Sequence, residues 1–420
     1  MTALTADLDQ LTFPQGFLWG AATSAHQTEG HNYNADWWQS EEAGLVPHRS
    51  GEACQSWERW QDDLQLLREL GLNAYRLSVE WARIEPRPGH IDGYALEHYR
   101  TVLEAIRSAG LEPIVTLHHF TSPLWITAAG GWNRPGVVGR FAAYTDHVAH
   151  ALGHAVRWWV TINEPTVFGL FGYISGAWPP HRRHDFGGYL RHVRHTLAAH
   201  AAARRVLKSY SPNAMVSMAL HLNPMDPVRY GDPTDHIAVK VYDWLWQGRI
   251  LRAARPHFDW IGVNYYFRIL VRWDVFPWRF FDAPEMGPHQ KTEYGWEIYP
   301  KCLYRVLKRV GRFGKPVIVT ENGIADADDD QRARYLVAHL RQAHRAVREG
   351  VDLKGYIHWS LIDNFEWSEG FTKRFGLAEV DLATQRRTLR PSALVYRQIA
   401  TSNCLNLEAL RAKSGSTVAA

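Results

Sequence analysis

Eight short runs rich in β-branched and aromatic residues recur along the chain, and segments long enough to be helices separate them. No Pro-, Ser- or Gly-rich linker interrupts the alternation. Eight β and α units in one unbroken chain predict an α/β fold of the (β/α)₈ TIM-barrel type, although a large doubly wound sheet would give the same local pattern. The predicted strands are 17–22, 74–79, 113–117, 156–162, 215–220, 260–263, 316–320 and 355–359.

The intervening segments carry helix signals. The segment 56–70 begins with Ser56 as a candidate N-cap and stops at Gly71, and the segment 97–109 stops in the same way at Gly110. We therefore expect a single barrel domain over residues 1–401. Residues 402–420 are expected to form a polar C-terminal tail.

Charge and cysteine content narrow the possible partners. The 47 basic and 43 acidic residues leave a net charge of +4 that is spread along the chain, so we expect no nucleic-acid partner. No apolar run has the length of a membrane span, and residues 1–10 lack a secretion signal, so we expect no membrane partner. Three widely spaced cysteines, Cys54, Cys302 and Cys404, fit a reducing compartment, and we expect a cytoplasmic protein.

Polar residues lie where several predicted strands end, and a barrel brings such residues together at one face. Two of them are carboxylates, Glu164 and Glu321, each reached from an apolar run. Nineteen tryptophans offer flat apolar surfaces of the kind that cover sugar rings, although core packing is the ordinary role of most of them. The strand-end residues are Arg76, His118, His119, Asn163, Glu164, Asn264, Tyr265, Tyr266, Glu321, Asn322, Gly323 and Trp359.

Paired acids in an aromatic pocket are typical of glycoside hydrolysis. That reaction needs one protonated carboxyl to donate to the leaving oxygen and one ionised carboxylate to attack the anomeric carbon. Arg76 could hold one of the two ionised, while apolar walls and the neighbouring charge would raise the pKa of the other. The alternative is that each glutamate only forms an ion pair at the barrel mouth.

Long ordered motifs lie along nearly the whole chain. They are Phe13-Pro14 to Gly30, Thr161-Ile162-Asn163-Glu164-Pro165, Val317 to Gly323, Trp359 to Trp367, and Lys373-Arg374-Phe375-Gly376-Leu377. A lone Asn-Glu-Pro or Glu-Asn-Gly would be weak evidence, since Asn-Gly also marks an ordinary turn. As an ordered set, the motifs resemble glycoside hydrolase family 1, the β-glucosidase family.

The resemblance implies a two-step mechanism that retains the anomeric configuration and uses no cofactor. Glu164 corresponds to the family's general acid/base and Glu321 to its nucleophile, with Arg76 and Tyr266 holding Glu321. It also implies a non-proline cis peptide at Trp359-Ser360. The residues expected to contact the sugar are Gln27, His119, Asn163, Trp359, Glu366 and Trp367.

The expected substrate is a small-molecule β-glycoside or short oligosaccharide, with glucose as the terminal sugar. Glu366 predicts an unphosphorylated sugar, because a carboxylate would repel a phosphate group. Galactose and fucose remain alternatives, since Gln27 and Glu366 could bind a C4 hydroxyl of either orientation. Transglycosylation on the same site is a further alternative, and a non-catalytic sugar-binding protein is another, although both glutamates are intact. The sequence leaves the oligomeric state open.

Other features bear on the shape and chemistry of the site. Alternation along a strand points only one of His118 and His119 into the pocket, and the motif selects His119. Phe120 replaces a Trp that is commoner in the bacterial pattern. Glu321 follows Glu164 by 157 positions, which is fewer than the family suggests, and the aromatic segment 272–296 is expected to line the entrance or to pack on itself.

The 22 histidines raise the question of a metal site. His147, His150 and His154 lie at helical spacing, as do His192, His195 and His200, near His181 and His184. No His-Glu-x-x-His, Cys-x-x-Cys, P-loop or Gly-x-Gly-x-x-Gly motif is present. We therefore expect no metal and no nucleotide cofactor.

Overall fold

The fold is described from a computed structural model of the chain, which describes residues 10–274 and 286–406. The strands of the described chain are β1 Gln10–Thr12, β2 Leu18–Ala22, β3 Ala74–Ser78, β4 Glu112–Thr116, β5 Trp158–Asn163, β6 Met215–His221, β7 Met225–Pro227, β8 Ile261–Asn264, β9 Ile269–Val271, β10 Val317–Asn322, β11 Leu353–Trp359, β12 Ala378–Asp381, β13 Arg386–Leu389 and β14 Cys404–Asn406. Eight of them are parallel and close into a barrel in the spatial order β10-β11-β2-β3-β4-β5-β6-β8. The (β/α)₈ prediction is thus confirmed, and all eight predicted runs are barrel strands whose ends differ from prediction by a few residues.

Helices surround the barrel and cover the outer faces of its strands. The strands are therefore buried on both faces, and this explains why they read as apolar runs rather than alternating ones. Two of the helical segments have π geometry, Leu170–Ser175 and Trp244–Gly248. The α-helices are Ala25–Thr28, Asp36–Glu42, Ser56–Glu69, Trp81–Ile84, Gly93–Ser108, Leu124–Ala128, Gly136–Leu152, Pro165–Gly169, Phe186–Tyr210, Pro233–Asp243, Arg249–Ala254, Lys301–Gly311, Arg332–Arg348 and Pro391–Ser402.

Two predicted helix starts are wrong. Ser56 does not cap its helix but is the first helical residue, after Gln55 in a left-handed conformation (φ 49°), and its hydroxyl donates to Asp63 at 2.6 Å. The next predicted helix starts earlier, at Gly93, because the Asp92 side chain accepts hydrogen bonds from the backbone N–H groups of Tyr94 and Ala95. The start of this helix is thus set by a polar capping residue, Asp92, which precedes the apolar repeat.

The predicted boundary of the C-terminal tail also falls too early. The last helix continues to Ser402, and β14 pairs antiparallel with β1, with Leu11 opposite the fully buried Leu405. Leu405, an apolar residue in a mostly polar stretch, thus packs where the two ends of the described chain pair. Residues 407–420 lie outside the described part. Among the described helices, none has the length and apolar character needed to cross a membrane.

Candidate active site

The carboxyl-terminal ends of the barrel strands converge on the two predicted glutamates. β3 supplies Arg76, β5 ends at Asn163 just before Glu164, and β10 carries Glu321. Each of these side chains is almost fully buried, with at most 6% of the residue exposed. The barrel therefore assembles the predicted pair from strands that are far apart in sequence.

Glu321 is held at both carboxylate oxygens by donors. Arg76 Nη1 donates to Oε1 at 2.5 Å, and the Tyr266 hydroxyl donates to Oε2 at 2.7 Å. Arg76 is itself fixed by Thr116, which accepts from Nε, and by the backbone carbonyl of Thr320. Burial raises the pKa of Tyr266 well above its ordinary value, so its hydroxyl remains a donor.

Glu164 has different surroundings. Its Oε1 accepts from Asn264 Nδ2 at 2.6 Å and lies 3.1 Å from His221 Nδ1. Thr320 donates to Asn264 Oδ1 at 2.6 Å and so turns the amide nitrogen of Asn264 toward Glu164. Glu164 adopts a left-handed conformation (φ 41°), which is strained for a residue with a side chain.

Opposing effects act on the pKa of the Glu321 carboxyl. Burial is the largest and raises this pKa, and the Glu164 charge raises it further, whereas Arg76 and the Tyr266 hydrogen bond lower it. Burial thus opposes the predicted effect of Arg76. The guanidinium contacts Glu321 and not Glu164, so the two carboxyl groups have different neighbours.

Asn163 and His119 form one edge of the pocket. Asn163 Oδ1 accepts from Arg76 Nη2 at 2.6 Å, so its amide nitrogen faces His119 Nε2 at 3.2 Å. Burial lowers the pKa of His119 well below its ordinary value, which leaves the ring neutral with its proton on Nδ1. Within the described residues Nδ1 has no hydrogen-bond partner, although it is buried. His118 instead faces away and contacts Ser122 and Trp132.

Gln27 and Glu366 lie together at another edge of the pocket. Gln27 Nε2 donates to the Asn364 side chain, to the carbonyl of Phe365 and, at 3.3 Å, to Glu366 Oε2. Trp359 also donates to Glu366. The Trp359-Ser360 peptide is cis, as predicted.

The ionisation of Glu366 gives a pH-dependent prediction. Burial, followed by the Glu321 and Glu164 charges, raises the pKa of Glu366 from 4.5 to about 8. The folded state therefore binds this proton more tightly than the unfolded chain, and its contribution to stability is lost as the pH rises from about 4.5 to about 8. Glutamine does not titrate, so the variant does not lose this contribution as the pH rises. We therefore expect the Tm of Glu366→Gln minus the Tm of the wild type to be about 2 °C larger at pH 8 than at pH 5. A Tm difference that is the same at both pH values would contradict this.

Aromatic side chains enclose the space between these edges. Trp367, whose backbone φ of 52° is left-handed, lies 6.3 Å from His119 and 5.2 Å from Phe120, ring centre to ring centre. Trp178 packs on Phe120 at 5.0 Å and on Trp367 at 5.6 Å. The smaller ring of Phe120 thus packs against Trp178, a residue that the sequence motifs did not single out.

Gly323 explains why Glu321-Asn322-Gly323 is more than a turn. A Cβ atom at Gly323 would lie 1.7 Å from the backbone carbonyl of Trp359, which is closer than atoms approach. β10 and β11 can therefore meet at this point only if residue 323 is glycine. The same close approach places Trp359 beside the strand that carries Glu321.

Two contacts of Glu164 were not predicted. Asn264 was noted at a strand end but given no role, and His221 was not noted at all. The signal for His221 was available, because it is a polar residue that directly follows the predicted end of the fifth barrel strand. β6 in fact continues through His221.

The predicted entrance segment is only partly described. Trp296 stacks on Tyr294 at 4.2 Å and lies 5.4 Å from Tyr266, next to the site. Trp273 is half exposed beside the helix Pro233–Asp243, where its backbone N–H donates to Asp235 Oδ1. Phe276, Trp278, Phe280 and Phe281 lie outside the described residues.

The buried histidines serve as packing and hydrogen-bonding residues. His192 contacts the carbonyl of Pro165, His195 that of Trp132, and His200 the hydroxyl of Thr161. Within the described ranges, a different group, Glu293, Asp326 and Asp328, brings carboxylate oxygens within 4.8 Å of one another. Two of these three residues are exposed. In the described part of the chain, the hydrogen bonds of these three residues do not involve Glu164 or Glu321.

Comparison of the chain with known proteins identifies its family. Residues 9–251 and 247–405 match Glycosyl hydrolase family 1. The chain belongs to this family, and the resemblance seen in the motifs is confirmed.

Particular relatives span nearly the same length. Beta-glucosidase A of Thermotoga maritima is 32% identical over 94% of this chain and 98% of its own, and a beta-galactosidase of Sulfolobus acidocaldarius is 33% identical over 94% and 96%. The structure of a beta-glycosidase from Pyrococcus horikoshii superimposes with a TM-score of 0.91 at 38% identity, covering 97% of this chain and 99% of that one. The Thermotoga maritima beta-glucosidase in complex with deoxynojirimycin gives a TM-score of 0.86 at 31% identity, covering 94% and 99%.

Proposed function

We propose that the protein is a retaining β-glycosidase that releases terminal β-linked glucose from aryl or alkyl glycosides and short oligosaccharides, with the barrel acting as one catalytic domain. The observation that carries the proposal is that the two glutamates have different hydrogen-bond partners. Glu321 is fixed by a guanidinium and a phenol, whereas Glu164 is held by an amide and an imidazole. This is the division between nucleophile and acid that double displacement requires.

In the first step the Glu321 carboxylate attacks the anomeric carbon. The bond from that carbon to the leaving oxygen breaks, and Glu164 transfers its proton to the departing oxygen. Arg76 and Tyr266 keep the attacking carboxylate oriented, because each holds one of its oxygens. The products are the free aglycone and a glycosyl ester on Glu321.

In the second step Glu164, now ionised, takes a proton from water. The water oxygen bonds to the anomeric carbon as the ester to Glu321 breaks, which releases the sugar and reprotonates Glu164. Two inversions give net retention. Asn163 is placed to bind the sugar 2-hydroxyl, a contact that strengthens in the transition state.

The edges of the pocket support recognition of an unphosphorylated sugar. Gln27 and Glu366 are joined to each other and offer both donors and acceptors to outer hydroxyls, while His119 Nδ1 offers a free donor. Trp359 and Trp367 provide apolar faces for the ring. Relatives named beta-glucosidase and beta-galactosidase support glucose first and galactose second.

A panel of p-nitrophenyl β-glycosides tests the choice of sugar. We expect kcat/KM to be highest for the glucoside, with the galactoside and fucoside next. The 6-phosphoglucoside should react at least about 10³-fold more slowly, because its phosphate would meet the desolvated carboxyl of Glu366. Phosphoglucoside hydrolysis at a comparable rate would overturn the assignment, and Glu321→Ala serves as the blank.

We also propose a cytoplasmic location. All three cysteines are unpaired, and Cys54 and Cys302 are buried where a thiol packs as a small apolar group. Cys54 donates to the carbonyl of Asp363 at 3.0 Å. A fold that uses its thiols in this way suits a reducing compartment.

A further inference from the structure

His221 is the last residue of β6 and lies beside Glu164. The two-step reaction does not assign it a role. Its Nδ1 lies 3.1 Å from Glu164 Oε1, and about a tenth of the side chain is exposed. The ring stacks on Tyr266 with 5.8 Å between centres and 22° between planes. His221 thus lies against both the residue that holds Glu321 and the carboxyl of Glu164.

The second ring nitrogen fixes the direction of the hydrogen bond. Asn223 Nδ2 lies 2.7 Å from His221 Nε2, and donation from that amide makes Nε2 an acceptor. The proton of the neutral ring is then on Nδ1, which donates to Glu164 Oε1. Gln247 Nε2 donates to the backbone carbonyl of Asn223 at 2.7 Å and anchors the loop that presents this amide.

Glu164 Oε1 therefore accepts from His221 and from Asn264, while its Oε2 receives no hydrogen bond from the described residues. An oxygen that already accepts two donors is the poorer place for a proton. The acidic proton accordingly resides on Oε2, the oxygen left free to meet the leaving group.

We propose that His221 is a positioning residue for proton transfer: its Nδ1–H selects Glu164 Oε2 as the acidic oxygen and stabilises the carboxylate left after the proton departs. The proposal rests on the proposed role of Glu164 as general acid/base. A hydrogen-bond donor to a carboxyl group stabilises its ionised form relative to its protonated form.

Other titratable or charged groups face the same region, and none of them is substituted in the test. Tyr266, which follows β8, and Glu321 on β10 are two of them, and Arg76 is linked through Asn163. The charge of Glu366 acts on Tyr266, and Glu366 is present in the wild type and in every His221 variant alike. A shift that follows removal of the imidazole alone is therefore assigned to its hydrogen bond.

The test compares His221→Leu, which removes the donor, with His221→Asn, whose amide nitrogen takes the place of Nδ1. kcat/KM is measured from pH 4 to 10 on phenyl β-glucoside, which needs acid assistance, and on 2,4-dinitrophenyl β-glucoside, whose leaving group does not. His147→Leu, at an exposed helix position, is the matched control.

We expect His221→Leu to move the alkaline limb of kcat/KM on the phenyl substrate upward by about one pH unit. Its rate on that substrate should fall about tenfold at pH 6, with a change of less than about threefold on the dinitrophenyl substrate. His221→Asn should restore the limb to within a few tenths of a unit, and His147→Leu should match the wild type.

If the alkaline limb of kcat/KM does not move in a folded His221→Leu enzyme, the positioning role is overturned. An equal loss of kcat/KM on both substrates would also overturn it, because such a loss indicates a purely structural contribution. Failure of the proposed function gives a different result. In that case the wild type itself shows no hydrolysis that depends on Glu321, before any His221 variant is compared, and both proposals fall.

Discussion

Replacement of Glu321 by alanine is expected to lower kcat/KM on p-nitrophenyl β-glucoside by about 10⁵-fold or more. Removal of a covalent nucleophile takes away the two-step route, and losses of this size accompany such removals in other enzymes. The residual rate should not respond to pH as the wild-type rate does, because the carboxylate that must be ionised is absent.

The variant must be shown to be folded, since Glu321→Ala leaves the buried Arg76 without its partner. Glu321→Gln keeps the volume and an acceptor for Arg76, and it should be nearly as inactive. Glu379→Ala, at an exposed position of β12, is the matched carboxylate control and should keep wild-type activity. More than about 1% of wild-type activity in a folded Glu321→Gln enzyme would contradict the role of Glu321 as nucleophile.

Replacement of Glu164 by alanine is expected to have an effect that depends on the leaving group. On phenyl β-glucoside, kcat/KM should fall by about 10³-fold, because the departing oxygen no longer receives a proton. On 2,4-dinitrophenyl β-glucoside the first step should remain fast. The glycosyl ester should then accumulate, because no base activates water in the second step.

Azide provides the control for the Glu164 result. With Glu164→Ala a small anion can enter the space of the lost carboxyl, and we expect it to restore turnover and give the β-glycosyl azide. With Glu321→Ala the anion would instead attack from the opposite face and give the α-azide. A loss in Glu164→Ala that is independent of the leaving group and unaffected by azide would contradict the acid/base role.

The barrel could be predicted from the sequence because its strands are buried on both faces and its helices interrupt them regularly. That pattern is local, and the rule that parallel strands share one functional edge then places Arg76, Glu164 and Glu321 together without any knowledge of contacts. The glutamate pair and the orientation of His119 followed from the same reasoning and from the motifs.

Contacts that depend on side-chain geometry could not be predicted in this way. The bond of His221 to Glu164 requires that β6 continue one residue beyond its apolar run, and Trp178 reaches the pocket from a segment after a π-helical turn. The raised pKa of Glu321 depends on complete burial, which outweighs Arg76 and which a sequence does not reveal. The pairing of β14 with β1 likewise rests on one apolar residue, Leu405, in a polar stretch.

Glu321 is expected to form a covalent glycosyl ester. Incubation with 2,4-dinitrophenyl 2-deoxy-2-fluoro-β-glucoside, followed by peptic digestion and mass spectrometry, tests this expectation, because the fluorine slows both steps and the good leaving group keeps the first step fast enough for the ester to accumulate. We expect stoichiometric inactivation and one labelled peptide, whose added fluoroglucosyl group maps to Glu321. Label on another residue, or release of dinitrophenol by an active enzyme without any covalent adduct, would contradict it.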